Sequence, residues 1–274
     1  FEAYSNYQRS HEEELLNPGA AYPLVQALLR LNSYVQGRRL VEVIVMSRNS
    51  PDTGLRVLRS IEKSGLDISR ASFAGGASQA PYLEAFDVDL FLSKSEVDVQ
   101  AAIDAGFPAA IIYDPPQGFD PSKDEIRIAF DADAVLFSEE SERIYQERGL
   151  AAFAAHEKEN ARSPLREGPF AKLLKTLSFI QKQHAQGRSL IRIAIVTARG
   201  SPAHERVIRT LREWGVDIDE AFFLGGLLKK SDILKAFRAH IYFDDQDIHL
   251  ASASKVVPSA RVPYHSKSEL KVVK

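Results

Sequence analysis

The sequence predicts an α/β protein built from parallel β-sheets that are covered by helices. Short apolar runs rich in β-branched residues alternate with amphipathic stretches, and strands alternating with helices form parallel sheets buried on both faces. A helix is predicted over His204–Trp214, with Gly215 as its stop. The clearest predicted strands are Val41–Met46, Leu90–Leu92, Ala109–Tyr113, Ile126–Phe130, Ile191–Val196 and Ile241–Phe243.

An internal repeat is the second observation. The stretch VMSRNSPDTGLRVLRSIEKSGLDISRASFAGG parallels IVTARGSPAHERVIRTLREWGVDIDEAFFLGG. Gly65 matches Gly215, and Gly75-Gly76 matches Gly225-Gly226, each 150 positions apart (215 − 65 and 225 − 75). Strand–turn–helix units share a pattern by default, but a constant spacing through a helix, its glycine stop and a following strand is hard to obtain that way. The repeat therefore predicts two Rossmann-like halves from a duplication.

The halves are expected to meet at Asp114–Lys123, a stretch dense in Pro, Gly and Asp. This gives a first domain over residues 1–114 and a second over residues 115–274. The second half opens with a strand and loop, Glu125–Phe137, whose equivalent would precede Phe1. The first half is therefore expected to lack its opening strand.

Composition narrows the classes of function. The chain has 274 residues, 45% hydrophobic and 26% charged, with a formal net charge of −2. Bulk charge therefore indicates neither a nucleic-acid nor a membrane partner. The absence of cysteine excludes disulfides, zinc–thiolate sites and cysteine nucleophiles. No apolar run approaches the ~20 residues of a membrane span, and no signal pattern opens the sequence, so a cytoplasmic protein is expected.

The strand IRIAF runs directly into Asp131 and Asp133. Residues spaced i and i+2 on an extended backbone point the same way, and parallel sheets bind ligands beyond the carboxyl ends of their strands. Two carboxylates in one pocket need a cation or different protonation states. One can then attack phosphorus while the other donates a proton to the leaving oxygen. The alternative is a solvated acidic turn.

Two further strand ends carry groups suited to phosphate. Thr197 ends IRIAIVT before a helix, where its hydroxyl and nearby N–H groups can bind phosphate oxygens; an ordinary helix N-cap is the alternative. FFLGG leads to Lys229, and paired glycines allow close backbone approach. Lys229 would neutralise phosphate and carboxylates, unless it is a surface lysine at a helix start.

The fourth strand end is IYF followed by Asp244 and Asp245. Carboxylate oxygens are the ligands that Mg²⁺ prefers, although a capping aspartate is equally compatible with the pattern. The order of the four elements (strand-DxD, strand-Thr, GG-then-Lys, strand-DD) resembles the haloacid dehalogenase superfamily of phosphatases. The segments FDADAVLFSEESERI, IVTARGSP, LREWGVDIDEAFFLGG and HIYFDDQDIH, with NPGAAYPLVQALLRLN and SFAGGASQAPYLEAFDVDLFLS, resemble the cytosolic type I 5′-nucleotidase family from about Glu2 to His265.

The resemblance implies hydrolysis of nucleoside 5′-monophosphates. Asp131 would be the nucleophile that forms an aspartyl-phosphate, and Asp133 would protonate the leaving O5′ and then activate water. Thr197 and Lys229 would hold the phosphoryl oxygens. Because Lys229 is followed by Lys230-Ser231 where Gly-Pro is expected, Lys230 is an alternative to Lys229.

The resemblance also implies a Mg²⁺ cofactor. Its ligands would be an Asp131 carboxylate oxygen, the Asp133 backbone carbonyl, Asp244 and Asp245. Phosphoryl transfer demands mainly such electrostatic positioning from a protein.

The first half lacks this chemistry, since Ser47 stands opposite Thr197 and Ser93 opposite Asp244. It is expected either to bind base and ribose or to be purely structural. The candidate substrate-binding residues are Ser47, Arg48, Asn49, Gly76 and Ser78, with Arg199 from the second half.

The connection over residues 138–188 is long and helical in pattern, and in this superfamily such an insertion is a cap over the active site. Two alternatives to the nucleotidase stay open: a phosphatase of the same mechanism acting on sugar phosphates or other small phosphomonoesters, and a non-catalytic nucleotide-binding protein. The expected partner is a nucleotide substrate, with no nucleic acid and no membrane. A homo-oligomer is left open.

Overall fold

The computed structural model describes residues 2–35, 37–121, 125–183 and 190–272. The chain divides into two compact units, Phe1–Asp87 and Val88–Lys274. The boundary between the two units therefore lies before residue 114, where the two predicted halves meet. Residues 88–114 lie in the second unit because their two strands pair into its sheet. Of the predicted loop 114–123, residues 122–123 lie outside the described part of the chain.

The first unit contains a parallel pair of strands with helices. Its helices are α1 (Glu2–Ser10), α2 (Tyr22–Arg30) and α3 (Pro51–Ser64), and its strands are β1 (Ile44–Ser47) and β2 (Arg70–Phe73). Helix α3 begins after Ser50, whose Oγ accepts a hydrogen bond from the backbone N–H of Thr53. It ends at Gly65, where φ is +67° and glycine is favoured. Among the described residues of this unit, β1 pairs only with β2.

The second unit is a mostly parallel sheet flanked by helices, as the alternating pattern predicted. Within its described residues the strand order is β3-β4-β9-β8-β5-β6-β7, and only β4 and β9 run antiparallel. The strands are β3 (Phe91–Ser93), β4 (Ala109–Ile112), β5 (Ile126–Phe130), β6 (Ile191–Thr197), β7 (Glu220–Phe223), β8 (Ile241–Asp244) and β9 (Ser259–Arg261). The helices are α4 (Glu96–Asp104), α5 (Glu140–Glu159), α6 (Ala171–Gln183), α7 (His204–Glu213), α8 (Lys230–Phe237) and α9 (Asp247–Ala253).

The two units share strand register at the spacing of the sequence repeat. In the first, Ile44 pairs with Arg70 and Ser47 with Phe73; in the second, the partners 150 positions later (194 − 44 and 220 − 70) pair in the same way. A cross-strand ion pair is also repeated with its charges exchanged. Glu42 with Arg70 in the first unit becomes Arg192 with Glu220 in the second.

Apolar strands hold the site-bearing edge of the second sheet in place. Strand β5 is buried along nearly its whole length, and the rings of Phe130 and Phe243 stack with centroids 5.4 Å apart. Phe170, which precedes α6, packs against both rings. Burial of these aromatic groups fixes β5 and β8 as rigid neighbours. No helix in the described part of the chain combines the length and apolar character needed to cross a membrane.

Candidate active site

The predicted residues at the ends of β5, β6 and β8 converge on one edge of the sheet. These strands are parallel neighbours, so their carboxyl ends lie side by side. The backbone N–H of Asp131 donates to the carbonyl of Phe243 at 2.8 Å, which places Asp131 beside Asp244. Thr197 is 2% exposed at the end of β6. The structure therefore brings Asp131 and Asp244 together, and Thr197 ends the strand that pairs with β5.

The chain leaves β5 through an unusual backbone turn. Asp131 and Asp133 keep extended dihedral angles, while Ala134 adopts a φ of +58°. A left-handed alanine costs conformational energy and persists only where its surroundings demand it. Residues Ala132–Leu136 are all buried, so the turn is held from every side. Packing around the turn therefore holds the two aspartates at the sheet edge.

A buried acidic cluster forms at this edge. Ligand oxygens of Asp131, Asp244 and Asp245 lie within 4.8 Å of one another, and the three residues are 4%, 0% and 7% exposed. Burial raises the pKa of Asp131 to about 7, against the opposing effect of Lys230 and with further upward effects from Asp244 and Asp133. Burial, with the charges of Asp244 and Asp131, also raises the pKa of Asp245 well above its ordinary value. The cluster therefore ionises less readily than exposed carboxyl groups, and a bound cation would favour its ionised form.

The cluster fits a hard divalent cation. Asp131 Oδ1 and Asp245 Oδ1 are buried and make no hydrogen bond, although Lys230 Nζ lies 2.9 Å from Asp131 Oδ1 as an ion pair. The remaining oxygens are anchored, since Tyr264 donates to Asp245, and Tyr242 donates to Asp244. Oxygen-only donors with unused lone pairs are the ligand set of Mg²⁺. The side chain of Asp133 is not part of this cluster.

Lys230, not Lys229, lies among the carboxylates. Lys230 is 3% exposed, and its Nζ is 2.9 Å from Asp131 Oδ1 and 2.8 Å from Asp244 Oδ2. Burial lowers the pKa of Lys230, but Asp131 and Asp244 more than offset this, so its pKa is raised and it stays charged. Lys229 is exposed with an extended backbone before α8. The prediction for Lys229 is corrected to its neighbour, the alternative left open by the sequence.

Arg199 has carboxylate partners rather than a face open to substrate. It is 3% exposed and donates to both oxygens of Asp133, from Nε at 2.7 Å and from Nη2 at 2.5 Å. Its Nη1 donates to Glu157 at 2.5 Å. Burial opposes the charge of Arg199, but Asp133 and Glu157 more than offset this and raise its pKa. The predicted substrate-binding role of Arg199 is therefore replaced by a hold on Asp133.

The loop after β7 contacts the end of β6 through its backbone. The backbone N–H of Leu224 donates to the Thr197 carbonyl at 3.0 Å, and that of Gly225 donates to Arg199 at 3.1 Å. A Cβ at Gly200 would lie 2.9 Å from the Gly225 Cα, so glycine is needed for this close approach. The Thr197 hydroxyl accepts a hydrogen bond from the Arg199 N–H at 3.2 Å.

Several residues of the site belong to no local sequence motif. Glu157 is fully buried on α5, and Tyr242 and Tyr264 orient the aspartate cluster. Burial raises the pKa of Glu142, which accepts hydrogen bonds from Gln146 and Gln246 near the cluster. Burial of a glutamate becomes visible only once the fold is known, so the sequence pattern of α5 does not single out Glu157.

The candidate residues of the first half lie in the first compact unit. Ser47, Arg48, Asn49 and Gly76 meet where β1 and β2 end: Gly76 N–H donates to the Arg48 carbonyl at 2.6 Å, and Asn49 N–H to Ser47 Oγ at 3.1 Å. Ser78 Oγ accepts from the Ala80 N–H at 3.2 Å. Their predicted binding of substrate stays a prediction.

The parallel sheet and its buried aspartates define an α/β protein with an acidic site at the carboxyl ends of its strands. Comparison with known proteins names the family: the family described as 5'-nucleotidase matches residues 1–269. Human cytosolic 5'-nucleotidase 1B is 36% identical over an alignment that covers 97% of this chain. This chain belongs to the 5'-nucleotidase family, and the resemblance found in its sequence is confirmed.

The chain spans 45% of the length of that human relative. Among solved structures, a chain titled "Structure of Pnkp1/Rnl/Hen1 complex" matches with a TM-score of 0.38 and 13% identity, over 92% of this chain and 95% of that chain. At this distance the likeness informs neither the fold nor the site.

Proposed function

We propose that this chain hydrolyses nucleoside 5′-monophosphates to nucleoside and phosphate with Mg²⁺ as cofactor. The observation that carries the proposal is the buried group of Asp131, Asp244 and Asp245 with Lys230, in a chain of the 5'-nucleotidase family. A nucleophile, a cation site and a fixed positive charge at one sheet edge are the parts that phosphoryl transfer requires. The substrate class follows from the family.

In the first step an Asp131 oxygen attacks phosphorus as the bond from phosphorus to O5′ breaks. Asp133 gives a proton to O5′, so the nucleoside leaves neutral and Asp131 carries the phosphoryl group. Lys230 places its charge where the phosphoryl oxygens lie. Thr197, at the end of β6, supplies a hydroxyl to the same oxygens.

In the second step a water oxygen attacks phosphorus while Asp133 takes a proton from that water. The bond between phosphorus and the Asp131 oxygen breaks, which releases inorganic phosphate and restores the carboxylate. Mg²⁺ held by Asp131, Asp244 and Asp245 would supply positive charge to the phosphoryl oxygens and reduce repulsion between phosphate and carboxylates. The Asp133 backbone carbonyl is proposed as a further ligand.

Membership of the 5'-nucleotidase family also supports a proposal for the core, the cap and the first unit. We propose a haloacid dehalogenase-like core in which α5 and α6 belong to a cap that limits access of water to the site. The shared register of the two units supports a duplication, with the first unit serving to bind base and ribose. A cytoplasmic location is consistent with the name of the human relative.

A substrate panel tests the proposed function. Purified protein is assayed for phosphate release from AMP, IMP, a sugar phosphate and phosphoglycolate, each with Mg²⁺ or with EDTA. We expect nucleoside monophosphates to be turned over with kcat/KM at least about tenfold above the other esters, with loss of activity in EDTA. Equal turnover of the non-nucleotides would contradict the substrate class, and binding of AMP without any turnover would contradict the reaction.

Asp244→Asn is expected to weaken Mg²⁺ binding and turnover together. The substitution removes one charged ligand of the cluster, so the Mg²⁺ concentration for half-maximal activity should rise at least about tenfold. Wild-type protein in 10 mM Mg²⁺ should melt roughly 2–5 °C above its value in EDTA, and Asp244→Asn should lose most of this shift. Asp247→Asn is the matched control, since Asp247 is exposed three residues further along. An unchanged Mg²⁺ requirement in Asp244→Asn would remove Asp244 from the metal site.

A further inference from the structure

A second buried charge network adjoins the proposed proton donor. Glu157 is 0% exposed on α5, and three donors meet its carboxylate: Arg199 Nη1 at 2.5 Å, Arg206 Nη1 at 3.0 Å and Ser141 Oγ at 2.8 Å. Burying charges is costly unless each is paired and hydrogen-bonded. Here the carboxyl groups of Glu157 and Asp133 face two buried guanidinium groups, so each buried charge has a hydrogen-bonded partner.

Glu157 gives Arg199 an anchor that does not depend on Asp133. Arg199 uses Nε and Nη2 for Asp133 and keeps Nη1 for Glu157. Phe153, one helical turn before Glu157 on α5, lies under the guanidinium at 5.3 Å. Asp133 must present an oxygen to the leaving group, and this requires Arg199 to stay in place while its contact to that oxygen loosens. The contacts from α5 supply that fixed support.

The first unit contains an equivalent of Arg206, and comparison of the two units separates the structural contacts of this arginine from its contact with Glu157. Arg56 stands 150 positions before Arg206 (206 − 56), and the Nε of each donates to a backbone carbonyl at 2.9 Å. The Nη1 of Arg56 donates to Gln8 Oε1 at 3.3 Å, whereas that of Arg206 donates to Glu157 Oε1 at 3.0 Å. Gln8 on α1 thus takes the place of Glu157 on α5, with a neutral amide for the carboxylate.

The first unit also has a different residue type at the place equivalent to Arg199. Asn49 stands at the equivalent place, 150 positions earlier, and accepts a hydrogen bond from Tyr4. The first unit, which has Ser47 in place of Thr197, therefore also has an amide in place of both the glutamate and the arginine. An amide suffices to hold the arginine that ties the helices together, so the charge of Glu157 accompanies the chemistry rather than the fold.

We propose that Glu157 is a positioning residue that acts through Arg199 to set the orientation of Asp133 for proton transfer. This rests on the proposed function of Asp133. Glu157→Gln would keep the shape of the side chain and one acceptor, as Gln8 does. It would remove the charge that holds Arg199, so Arg199 would follow Asp133 instead of staying in place.

The dependence on the leaving group tests this role. Nucleoside O5′ needs a proton to leave, whereas p-nitrophenolate leaves without one. Single-turnover release with excess enzyme and Mg²⁺ is measured for AMP and for p-nitrophenyl phosphate. In Glu157→Gln we expect adenosine release to slow by about 10–100-fold and p-nitrophenol release by less than about threefold. Glu159→Gln, the same substitution at an exposed position of α5, should change neither rate.

Ser141→Ala keeps the inference testable if Glu157→Gln does not fold. It removes one neutral donor to Glu157 and should slow adenosine release by roughly 3–10-fold, again without affecting p-nitrophenol release. Equal slowing of both substrates, or of neither, would overturn the role of Glu157. Asp133→Asn separates the two proposals: if it slows adenosine release selectively while Glu157→Gln does not, only the inference about Glu157 fails. If Asp133→Asn slows neither substrate, the proposed function of Asp133 fails first.

Discussion

Asp131→Asn is expected to lower kcat for AMP hydrolysis by about 10⁴-fold or more while the protein stays folded. The amide cannot form the acyl phosphate, and removal of a nucleophile abolishes the covalent route rather than weakening it. The measurement is phosphate release from AMP at saturating Mg²⁺, with acid-stable trapping of a phosphorylated enzyme as a second readout. Wild-type protein should carry label from the phosphoryl group of AMP, and Asp131→Asn should carry none.

The same variant is expected to be at least as stable as the wild type in EDTA. The pKa of Asp131 is raised to about 7, chiefly by burial, so its ionised form destabilises the folded state as pH rises from about 4 through 7. A neutral asparagine removes this cost, so the difference in melting temperature from the wild type should be largest above pH 7. A higher melting temperature together with lost activity would separate chemistry from folding. Near wild-type turnover by Asp131→Asn would exclude the mechanism.

The part of the site that follows from local sequence was predictable. Asp131, Thr197 and Asp244 each stand at the end of an apolar strand, and parallel pairing brings such ends together whatever the rest of the chain does. The tight turn before α8 was also predictable, because Gly225 and Gly226 adopt φ angles of +59° and +71° that glycine favours. The strand β9 was not predicted, since Ser259–Arg261 is short and carries no alternating apolar pattern.

The part that depends on long-range contacts was not predictable. Glu157 reaches Arg199 across 42 positions in the chain and carries no motif of its own. The boundary at Asp87 follows from the pairing of β4 with β9, which joins segments about 150 residues apart. Strand and helix patterns describe periodicity within short windows of sequence, so they predict neither of these long-range contacts.

The sequence pattern does not distinguish Lys229 from Lys230. Both follow the two glycines, and the choice between them depends on where α8 begins. Lys229 precedes the helix with extended dihedral angles (φ −76°, ψ 129°), while Lys230 is its first residue. A difference of one position turns one ammonium group to solvent and buries the other beside Asp131 and Asp244.

The two lysines therefore supply a matched pair of variants. Lys230→Ala is expected to lower kcat/KM for AMP by about 10²–10³-fold, because a buried charge aimed at the phosphoryl oxygens is worth far more than one in water. Lys229→Ala should stay within about twofold of wild type, since Lys229 is exposed. Both are assayed at saturating Mg²⁺, and melting temperatures are taken with Mg²⁺ and with EDTA.

Stability distinguishes a catalytic loss from a structural one in this pair. Lys230→Ala leaves Asp131 and Asp244 without their ammonium partner, so in EDTA it should melt well below the wild type. Mg²⁺ restores positive charge to the same carboxylates and should recover most of that stability, whereas the lost contact to the phosphoryl oxygens cannot be recovered. A Lys230→Ala protein that regains both its melting temperature and its kcat/KM in Mg²⁺ would show that the lysine serves the carboxylates alone. An equal loss of activity in Lys229→Ala would contradict the assignment of Lys230 over its neighbour.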